Sequence, residues 1–268
     1  MKVAYPHRQK KSLSQVFLHT DWPCVKLCDL LLQQGIQQVL EIGPGKGILT
    51  RKLVEAGLTV TAVEKDDQLA EYMTSVASRY RESNAAGSLT VVNEDILQFD
   101  LSAWVKQHSG KKAICGNIPY NISSPILLHT LPELSSVEGL FFLVQLEFAQ
   151  RLCSPVNEKS YGSLSVYTQL RAKAKVEYKV ERTCFYPVPK VDSAVVSLLP
   201  PTTPQEPGIL AKVEQLTRQV FHQRRKKLSN SLGSFLHMGK TLPSEIDLSR
   251  RCDTLSPQEF IEIAKVFL

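Results

Sequence analysis

Short apolar segments alternate with helix-like segments along most of this chain, and no other feature limits the fold as much. The apolar segments lie at 39–42, 59–63, 89–92, 113–115 and 140–144, and apolar or acidic residues with helical spacing lie between them. A helix that follows a strand returns the chain to the same end of the sheet, so the next strand pairs in parallel. The sequence therefore predicts a doubly wound, mostly parallel α/β sheet.

The end of the predicted sheet departs from this alternation. Apolar and charged residues alternate strictly at 172–180, which is typical of a strand with one solvated face. The proline-bearing loop CFYPVPK then leads to an apolar strand at 191–199. Two strands joined by a short loop predict an antiparallel hairpin at one end of the sheet, and bring the expected number of strands to seven.

Prolines at 200, 201, 204 and 207 mark a linker. Beyond it, apolar residues recur at helical spacing in two groups, Ile209, Val213, Leu216 and Val220, and then Phe260, Ile263, Ala264 and Phe267. We therefore divide the chain into an α/β domain at 1–200 and a small α-helical domain at 201–268.

Composition limits the class of partner and the location. The net charge of +6 over 268 residues favours a polyanionic partner. The most apolar stretch, 139–146, is too short to cross a bilayer, and no long apolar run follows the basic N-terminus, so we expect a cytoplasmic protein without a membrane contact. Of the six cysteines, Cys24 and Cys28 share a helix face, but no second Cys or His pair completes a metal site.

A glycine-rich turn, VLEIGPGKGILT, follows the first strand and opens a helix, with glycines at 43, 45 and 47. A nicotinamide-dinucleotide site requires GxGxxG, and Ile48 breaks that pattern. The form E/DxGxGxG is instead typical of S-adenosylmethionine-dependent methyltransferases. A tight turn without a ligand remains the alternative for this motif alone.

Two carboxylates follow neighbouring strands. Glu64 ends the second strand, where it can accept both hydroxyls of a ribose, and Asp95 ends the third, where it can accept from the amino group of an adenine. Taken alone, Glu64 is better explained as a helix-start carboxylate on a solvated surface, and Asp95 as a turn residue or cap. Because the carboxyl ends of parallel strands meet at one edge, both carboxylates and the glycine turn together predict a nucleoside site.

The segment Asn117–Tyr120 ends the fourth strand, which we expect beside the first, across the point where the strand order reverses. The amide oxygen and a nearby main-chain carbonyl can accept from an exocyclic NH2, and the Tyr120 ring can cover the face of the base. A turn that only ends a strand is the alternative. The segment is therefore interpreted as a clamp for a planar, amino-bearing base.

Ten strings in order make the chain similar to the small-subunit ribosomal RNA adenine-N6,N6-dimethyltransferases, which include the bacterial 16S rRNA dimethyladenosine transferase. The strings are KKSLSQVFL, EIGPGKG, AVEKD, NEDIL, GNIPYNISSPIL, LVQLEFAQRL, KSYGSLSVYTQL, FYPVPKVDSAVVSL, FHQRRKKLSNSL and RCDTLSPQEF. The resemblance implies a Rossmann-like methyltransferase fold at 1–200, with an N-terminal segment that covers the cofactor, and an RNA- or ribosome-binding domain at 201–268.

The resemblance also implies roles for individual residues. For S-adenosylmethionine, Gly43 and Gly45 hold the methionine part, Glu64 the ribose, Asp95 and Ile96 the adenine, and Asn117 bridges cofactor and substrate. The family's N-terminal QNFL reads Gln15, Val16, Phe17, Leu18 here, so Gln15 and Leu18 match. Val16 replaces the family's amide. A main-chain contact can survive this change, whereas a side-chain hydrogen bond cannot.

The implied substrate contacts lie in both domains. Asn117 and the carbonyl of Ile118 or Pro119 would accept from the adenine amino group, and Tyr120 and Phe185 would enclose the unstacked base. Basic residues of the helical domain would neutralise phosphates, namely Arg218, Arg224, Arg225, Lys226 and Lys227.

The expected function is the N6,N6-dimethylation of two adjacent adenosines near the 3′ end of 16S rRNA, by a monomer that acts in small-subunit maturation. PKVDSAVV, YGSLSV and FHQRRKKLSNSL favour this branch over the large-subunit adenine methyltransferases of antibiotic resistance. DNA adenine methyltransferases usually carry an acidic residue at the position of Asn117. A ribosome-assembly factor that mainly binds RNA is the alternative from another class.

Overall fold

A computed structural model describes residues 16–83, 85–233, 244 and 246–267. The chain divides into two compact units, of which the first comprises 1–146 with 176–199, and the second 147–175 with 200–268. From the sequence we assigned 147–175 to the α/β domain, whereas in the structure these residues belong to the second, helical unit.

The strands are β1 Phe17–Leu18, β2 Gln38–Ile42, β3 Thr59–Glu64, β4 Ser88–Asn93, β5 Lys112–Asn117, β6 Gly139–Gln145, β7 Lys173–Val180, β8 Phe185–Tyr186 and β9 Ser193–Leu199. The helices are α1 Trp22–Gln33, α2 Ile48–Glu55, α3 Asp67–Glu82, α4 Leu101–Gln107, α5 Ser123–Thr130, α6 Leu146–Cys153, α7 Ser163–Gln169, α8 Pro207–His222, α9 Leu228–Ser231 and α10 Pro257–Phe267.

Seven strands form one sheet in the order β4-β3-β2-β5-β6-β9-β7. The pairs from β4 to β6 are parallel, and β9 runs antiparallel to β6. The predicted fold class, a mostly parallel seven-stranded sheet with an antiparallel hairpin, is confirmed. The strand order reverses between β2 and β5, so the glycine turn after β2 and Asn117 at the end of β5 lie at the same edge of the sheet.

The central strands are apolar on both faces because helices cover both. Val39 and Leu40 on β2, and Ala113 and Ile114 on β5, are completely buried. Side-chain caps fix where two of the covering helices begin. Asp66 accepts from two backbone N–H groups at the start of α3, and Asp100 accepts from one in α4.

The sequence did not predict α4, α7 or the two-stranded ribbon of β1 and β8. In this ribbon Phe17 pairs with Tyr186 and Leu18 with Phe185, in antiparallel orientation. Two-residue strands are too short to show a periodicity of two, so only the tertiary structure reveals their pairing.

The second unit has its own core. The apolar repeats predicted at the beginning and end of the helical domain lie in α8 and α10, and Leu216, Val220, Phe260 and Ile263 are buried there. The buried Tyr161 hydroxyl donates to the Leu255 carbonyl at 2.8 Å. Among the described residues, no helix is both long and apolar enough to cross a membrane.

Gly116 on β5 offers a test of the close approach between β2 and β5. A Cβ at this position would lie 2.5 Å from the Ile42 carbonyl oxygen and 3.2 Å from the Ile42 Cβ, and both belong to a central strand that cannot move aside. We expect Gly116→Ala to lower the free energy of unfolding by about 1–3 kcal/mol, as overpacking does.

Denaturant unfolding measures this change, with Gly208→Ala on α8 as the control. Apart from its chain neighbours and its own helix backbone, no described atom lies within 4 Å of a Cβ at Gly208, and alanine favours a helix. Equal stability of the two variants would contradict the predicted clash.

Candidate active site

A cavity of about 260 Å³ lies at the carboxyl ends of β2, β3, β4 and β5. Its wall is largely apolar, and its polar side chains lie where strands end. The lining residues are Val16, Phe17, Ile42, Gly43, Gly45, Val63, Glu64, Lys65, Glu94, Asp95, Ile96, Leu97, Asn117, Ile118, Pro119, Asn121, Ile122 and Ile126. The three segments predicted to meet at this edge therefore line one cavity.

The glycine turn forms one wall of the cavity, and two of its glycines are required by space as well as by backbone angle. Gly45 and Gly47 have φ values of 56° and 75°, which L-residues rarely adopt. A Cβ at Gly45 would lie 3.0 Å from the Phe17 ring, and one at Gly47 would lie 2.9 Å from the Met73 sulfur. Side chains here would fill the space between the turn and its neighbours.

Glu64 links the turn to the end of β3. Its Oε2 accepts from the Gly45 N–H at 3.1 Å and its Oε1 from the Asp66 N–H at 2.9 Å. Burial raises the pKa of Glu64, and these two N–H groups act in the opposite direction. Each carboxylate oxygen keeps capacity for a further hydrogen bond, so Glu64 can still accept from ribose hydroxyls as predicted.

Glu41 lies on β2 immediately before the turn and is 1% exposed. Within the described part of the chain, its Oε2 has no hydrogen-bond partner. Burial raises the pKa of Glu41 to about 8, and the charge of Glu64 acts in the same direction. The folded protein therefore binds a proton at Glu41 near neutral pH.

Asp95 follows β4, lines the cavity and is already engaged by the protein. Lys65 donates to its Oδ2 at 2.6 Å, and the Leu97 N–H donates to its Oδ1 at 3.1 Å. The hydrogen bond from Lys65 holds the pKa of Asp95 below its ordinary value. Asp95 is thus an ionised acceptor with a fixed orientation, and Ile96 beside it contributes an apolar surface to the cavity.

Asn117 contributes both ends of its amide to the site. Nδ2 donates to the Val16 carbonyl at 3.2 Å. Oδ1 is buried and accepts no hydrogen bond from any described residue. The Pro119 carbonyl already accepts from the Ile122 N–H and the Ser123 hydroxyl, which leaves the Ile118 carbonyl as the second acceptor for an amino group.

The two predicted aromatic residues lie in different environments, and neither lines the cavity. Tyr120 is half-buried, and its hydroxyl hydrogen bonds to the Ser193 hydroxyl at 2.6 Å, which holds the ring. Phe185 is completely buried in the core of the first unit, so this conformation does not present its ring to a base. The exposed ring of the same loop belongs to Tyr186.

The N-terminal segment also differs in part from the prediction. Gln15 lies outside the described residues. Val16 lines the cavity, and Phe17 beside it does so as well. Leu18 is directed into the core and does not line the cavity. Because successive residues of a strand face opposite sides, Phe17 takes the place predicted for Leu18.

Nine lining residues had no predicted role. Five of them are aliphatic, and the other four are Phe17, Lys65, Glu94 and Asn121. Each of these four is adjacent in sequence to a predicted residue, namely Leu18, Glu64, Asp95 or Tyr120. This adjacency is the signal that would have found them.

The basic residues of the second unit fall into two groups. Arg224 donates to the carboxylate of Asp253 at 3.3 Å and to the carbonyls of Lys159 and Glu158 at 2.6 and 3.0 Å, so it holds the second unit together. Arg218 pairs with Glu214 at 2.6 Å. The exposed side chains of Arg225, Lys226 and Lys227 follow α8.

Within the described residues, no group of three or more side chains could hold a metal ion.

The cavity fits a nucleoside-containing cofactor. Apolar side chains form most of its wall, two carboxylates can accept from a ribose and an amino group, and a buried amide oxygen has no described partner. Together with the strand order, these features define the class of S-adenosylmethionine-dependent methyltransferases.

Comparison with known proteins narrows this class. The family model for ribosomal RNA adenine dimethylases matches residues 6–268, and the chain belongs to this family. The ribosomal RNA small subunit methyltransferase A of Francisella tularensis subsp. novicida is 35% identical over 264 residues, which cover 98% of both chains. The chain is therefore an S-adenosylmethionine-dependent rRNA methyltransferase, as the resemblance implied.

Two solved structures share the fold. The 23S rRNA methyltransferase ErmE is 25% identical with a TM-score of 0.68, and the alignment covers 94% of this chain and 99% of that one. A dimethyladenosine transferase from Plasmodium falciparum is 23% identical with a TM-score of 0.71, over 94% of this chain and 100% of that one.

The buried Glu41 predicts a pH dependence of stability. In the unfolded chain its pKa is near 4.5, and in the folded protein it is about 8, so between these values only the folded state keeps the proton. The contribution of Glu41 to stability therefore falls as pH rises through this window, by up to ~1.4 kcal/mol per pH unit.

The variant Glu41→Gln removes the titrating group and should gain stability relative to the wild type as pH rises from 5 to 8. Urea unfolding across this range measures the difference, with the exposed Glu71→Gln on α3 as the control. A constant difference between Glu41→Gln and the wild type would show that Glu41 does not titrate in this window.

Proposed function

We propose that this protein transfers methyl groups from S-adenosylmethionine to N6 of two adjacent adenosines near the 3′ end of 16S rRNA, in the cytoplasm and during small-subunit maturation. The 35% identity to a ribosomal RNA small subunit methyltransferase A supports the choice of the small subunit. The observation that carries the proposal is the Asn117 amide oxygen, a buried acceptor with no described donor beside the cofactor cavity.

The cavity residues suggest how the cofactor is held. Glu64 accepts from the ribose hydroxyls, and Asp95 accepts from the adenine amino group while Ile96 contacts the base. The turn leaves room for the methionine part at Gly43, where no described residue other than its chain neighbours comes within 4 Å of a Cβ, while Gly45 lies against the Phe17 ring. When bound, S-adenosylmethionine supplies an electrophilic methyl group on a sulfonium.

The acceptors at the end of β5 make the adenine amine reactive. Its lone pair is delocalised into the ring, so the nitrogen is a poor nucleophile. The Asn117 oxygen and the Ile118 carbonyl accept its two N–H groups, which favours a pyramidal nitrogen with an available lone pair. Pro119 stiffens the turn, and Tyr120, held by Ser193, covers the base. Positioning supplies much of the rate, and the methylated amine then releases its proton without a strong base.

The second unit provides a cationic surface for the RNA. Arg225, Lys226 and Lys227 are exposed in succession between α8 and α9, which suits the neutralisation of phosphates. Arg218 can reach a phosphate only in competition with Glu214. Arg224 has a structural role, because its guanidinium is already bonded to Asp253 and to two carbonyls.

Methylation of isolated ribosomal subunits that lack the modification tests the substrate. We expect N6,N6-dimethyladenosine, measured by mass spectrometry, to form in the small-subunit RNA only. Asn117→Ala should lower the rate by about 100-fold, the scale of losing one preorganised hydrogen-bonding group. The exposed Asn230→Ala in the second unit serves as the matched control.

Two outcomes would favour the alternatives. Methylation confined to the large subunit would indicate the activity in the name of the structurally similar 23S rRNA methyltransferase. Normal subunit maturation in cells that carry only Asn117→Ala would indicate that RNA binding, and not methyl transfer, is the main role.

The two groups of basic residues should respond differently to neutralisation. Arg225→Gln with Lys226→Gln should weaken RNA binding and lower the salt dependence of the binding constant, by a slope of about 0.7–0.9 per lost phosphate contact, and leave stability within about 0.5 kcal/mol. Arg224→Gln should instead lower the free energy of unfolding by about 1–3 kcal/mol, because it removes the hydrogen bonds to Asp253 and to the carbonyls of Glu158 and Lys159. Filter binding over a salt series measures the effect on RNA binding, and denaturant unfolding measures the effect on stability. An Arg224→Gln protein with unchanged stability and weakened RNA binding would contradict the structural role of Arg224.

A further inference from the structure

The orientation of the Asn117 amide decides whether this residue can bind an amine. A side-chain amide presents an acceptor at one end and two donors at the other. Its terminal torsion is broad and roughly two-fold, so a turn of 180° meets little intrinsic resistance. Only the orientation that directs the oxygen into the site accepts a hydrogen bond from an amino group, so some neighbour must select it.

The structure places one group that makes this selection. The Val16 carbonyl oxygen lies 3.2 Å from Asn117 Nδ2 and accepts its hydrogen. The opposite orientation would place two oxygen acceptors against each other at this distance. It would also direct two N–H groups toward an amine that donates. The observed orientation leaves Oδ1 buried, with no donor among the described residues.

The ribbon of β1 and β8 holds the Val16 carbonyl in place. Phe17 pairs with Tyr186, and Phe17 also lies against the glycine turn at Gly45. Farther along, the His19 N–H donates to the Cys184 carbonyl at 3.0 Å, and its ring hydrogen bonds to the Thr183 carbonyl at 2.8 Å. The residues that follow the carbonyl are therefore held both by the segment 183–186 and by the glycine turn.

We propose that the main-chain carbonyl of Val16 is a positioning group for methyl transfer, which fixes the Asn117 amide with its oxygen toward the target amine. This inference rests on the proposed function. It assigns the contribution of position 16 to the backbone and not to the side chain. Any side chain that the ribbon tolerates would serve at this position.

An amide-to-ester exchange tests the carbonyl directly. Replacing Phe17 by phenyllactic acid converts the 16–17 peptide bond to an ester, which makes the Val16 carbonyl a weaker acceptor and removes the Phe17 N–H. Hydrogen-bonded and non-hydrogen-bonded pairs alternate along an antiparallel ladder. Residues 19 and 184 form a hydrogen-bonded pair, so residues 17 and 186, two positions along the ribbon, form another. Replacing His19 by its α-hydroxy acid is therefore a matched control that removes one ribbon N–H without altering the carbonyl at Val16.

We expect the ester at position 17 to lower kcat on small-subunit RNA by about tenfold relative to the ester at position 19, the upper range of one hydrogen bond. The Kd for S-adenosylhomocysteine, measured by calorimetry, should change by the same small factor in both. Equal kcat values for the two esters would overturn the inference. Absence of N6,N6-dimethyladenosine from small-subunit RNA treated with the wild-type protein would instead overturn the proposed function, so the two failures are distinguishable.

A second variant gives a readout that does not depend on activity. Asn117→Asp keeps an acceptor but places a carboxylate oxygen against the Val16 carbonyl. Hydrogen exchange of the amides at 17–19 should then be at least tenfold faster than in the wild type, whereas exchange in β6 should be unchanged. Unchanged exchange at 17–19 would show that the contact does not hold the ribbon and would overturn the inference.

Discussion

The parallel pairing of β2 with β5 is the contact on which the site depends. Ile42 is paired with Gly116, so the residues that follow, Gly43 and Asn117, leave the sheet side by side. The approach is close enough that a Cβ at Gly116 would collide with the Ile42 carbonyl. Because the strand order reverses here, the two following chain segments diverge and open a cavity between them. Residues that are far apart in sequence thus line one cavity.

Buried polar groups give this edge of the sheet its chemistry. Burial of a carboxylate is unfavourable unless hydrogen bonds compensate for the lost water. Glu64 has two backbone N–H donors, and Asp95 has Lys65 and an N–H group, so both are held as oriented acceptors. Asn117 differs because its oxygen has no described partner. A buried oxygen without a hydrogen bond lowers the free energy of unfolding, and a bound amine that donates to it would restore this stability. This is the physical link between the fold and the reaction.

Because of contacts between distant segments, several residues have a different role in the structure from the one that the sequence predicted. Phe185 and Leu18 are neighbours in the β1–β8 ribbon, and both are directed into the core, whereas Phe17 faces the cavity. Arg224 looks like its basic neighbours in the sequence, yet it binds Asp253 and two carbonyls. In each case the position along the chain was informative, and the direction of the side chain was not.

The sequence by itself determined the α/β class, the strands at the centre of the sheet, the glycine turn and the polar residues at the strand ends. These follow from local periodicity and from the rule that parallel strands share an edge, and the strings in order identified the family. The tertiary structure alone decided which N-terminal side chain meets the cavity, that Lys65 orients Asp95, that the Pro119 carbonyl is occupied, and that Val16 orients Asn117. The reason is physical: periodicity records which side of an element is buried, but a hydrogen bond between residues 16 and 117 depends on two segments whose separation no local pattern encodes.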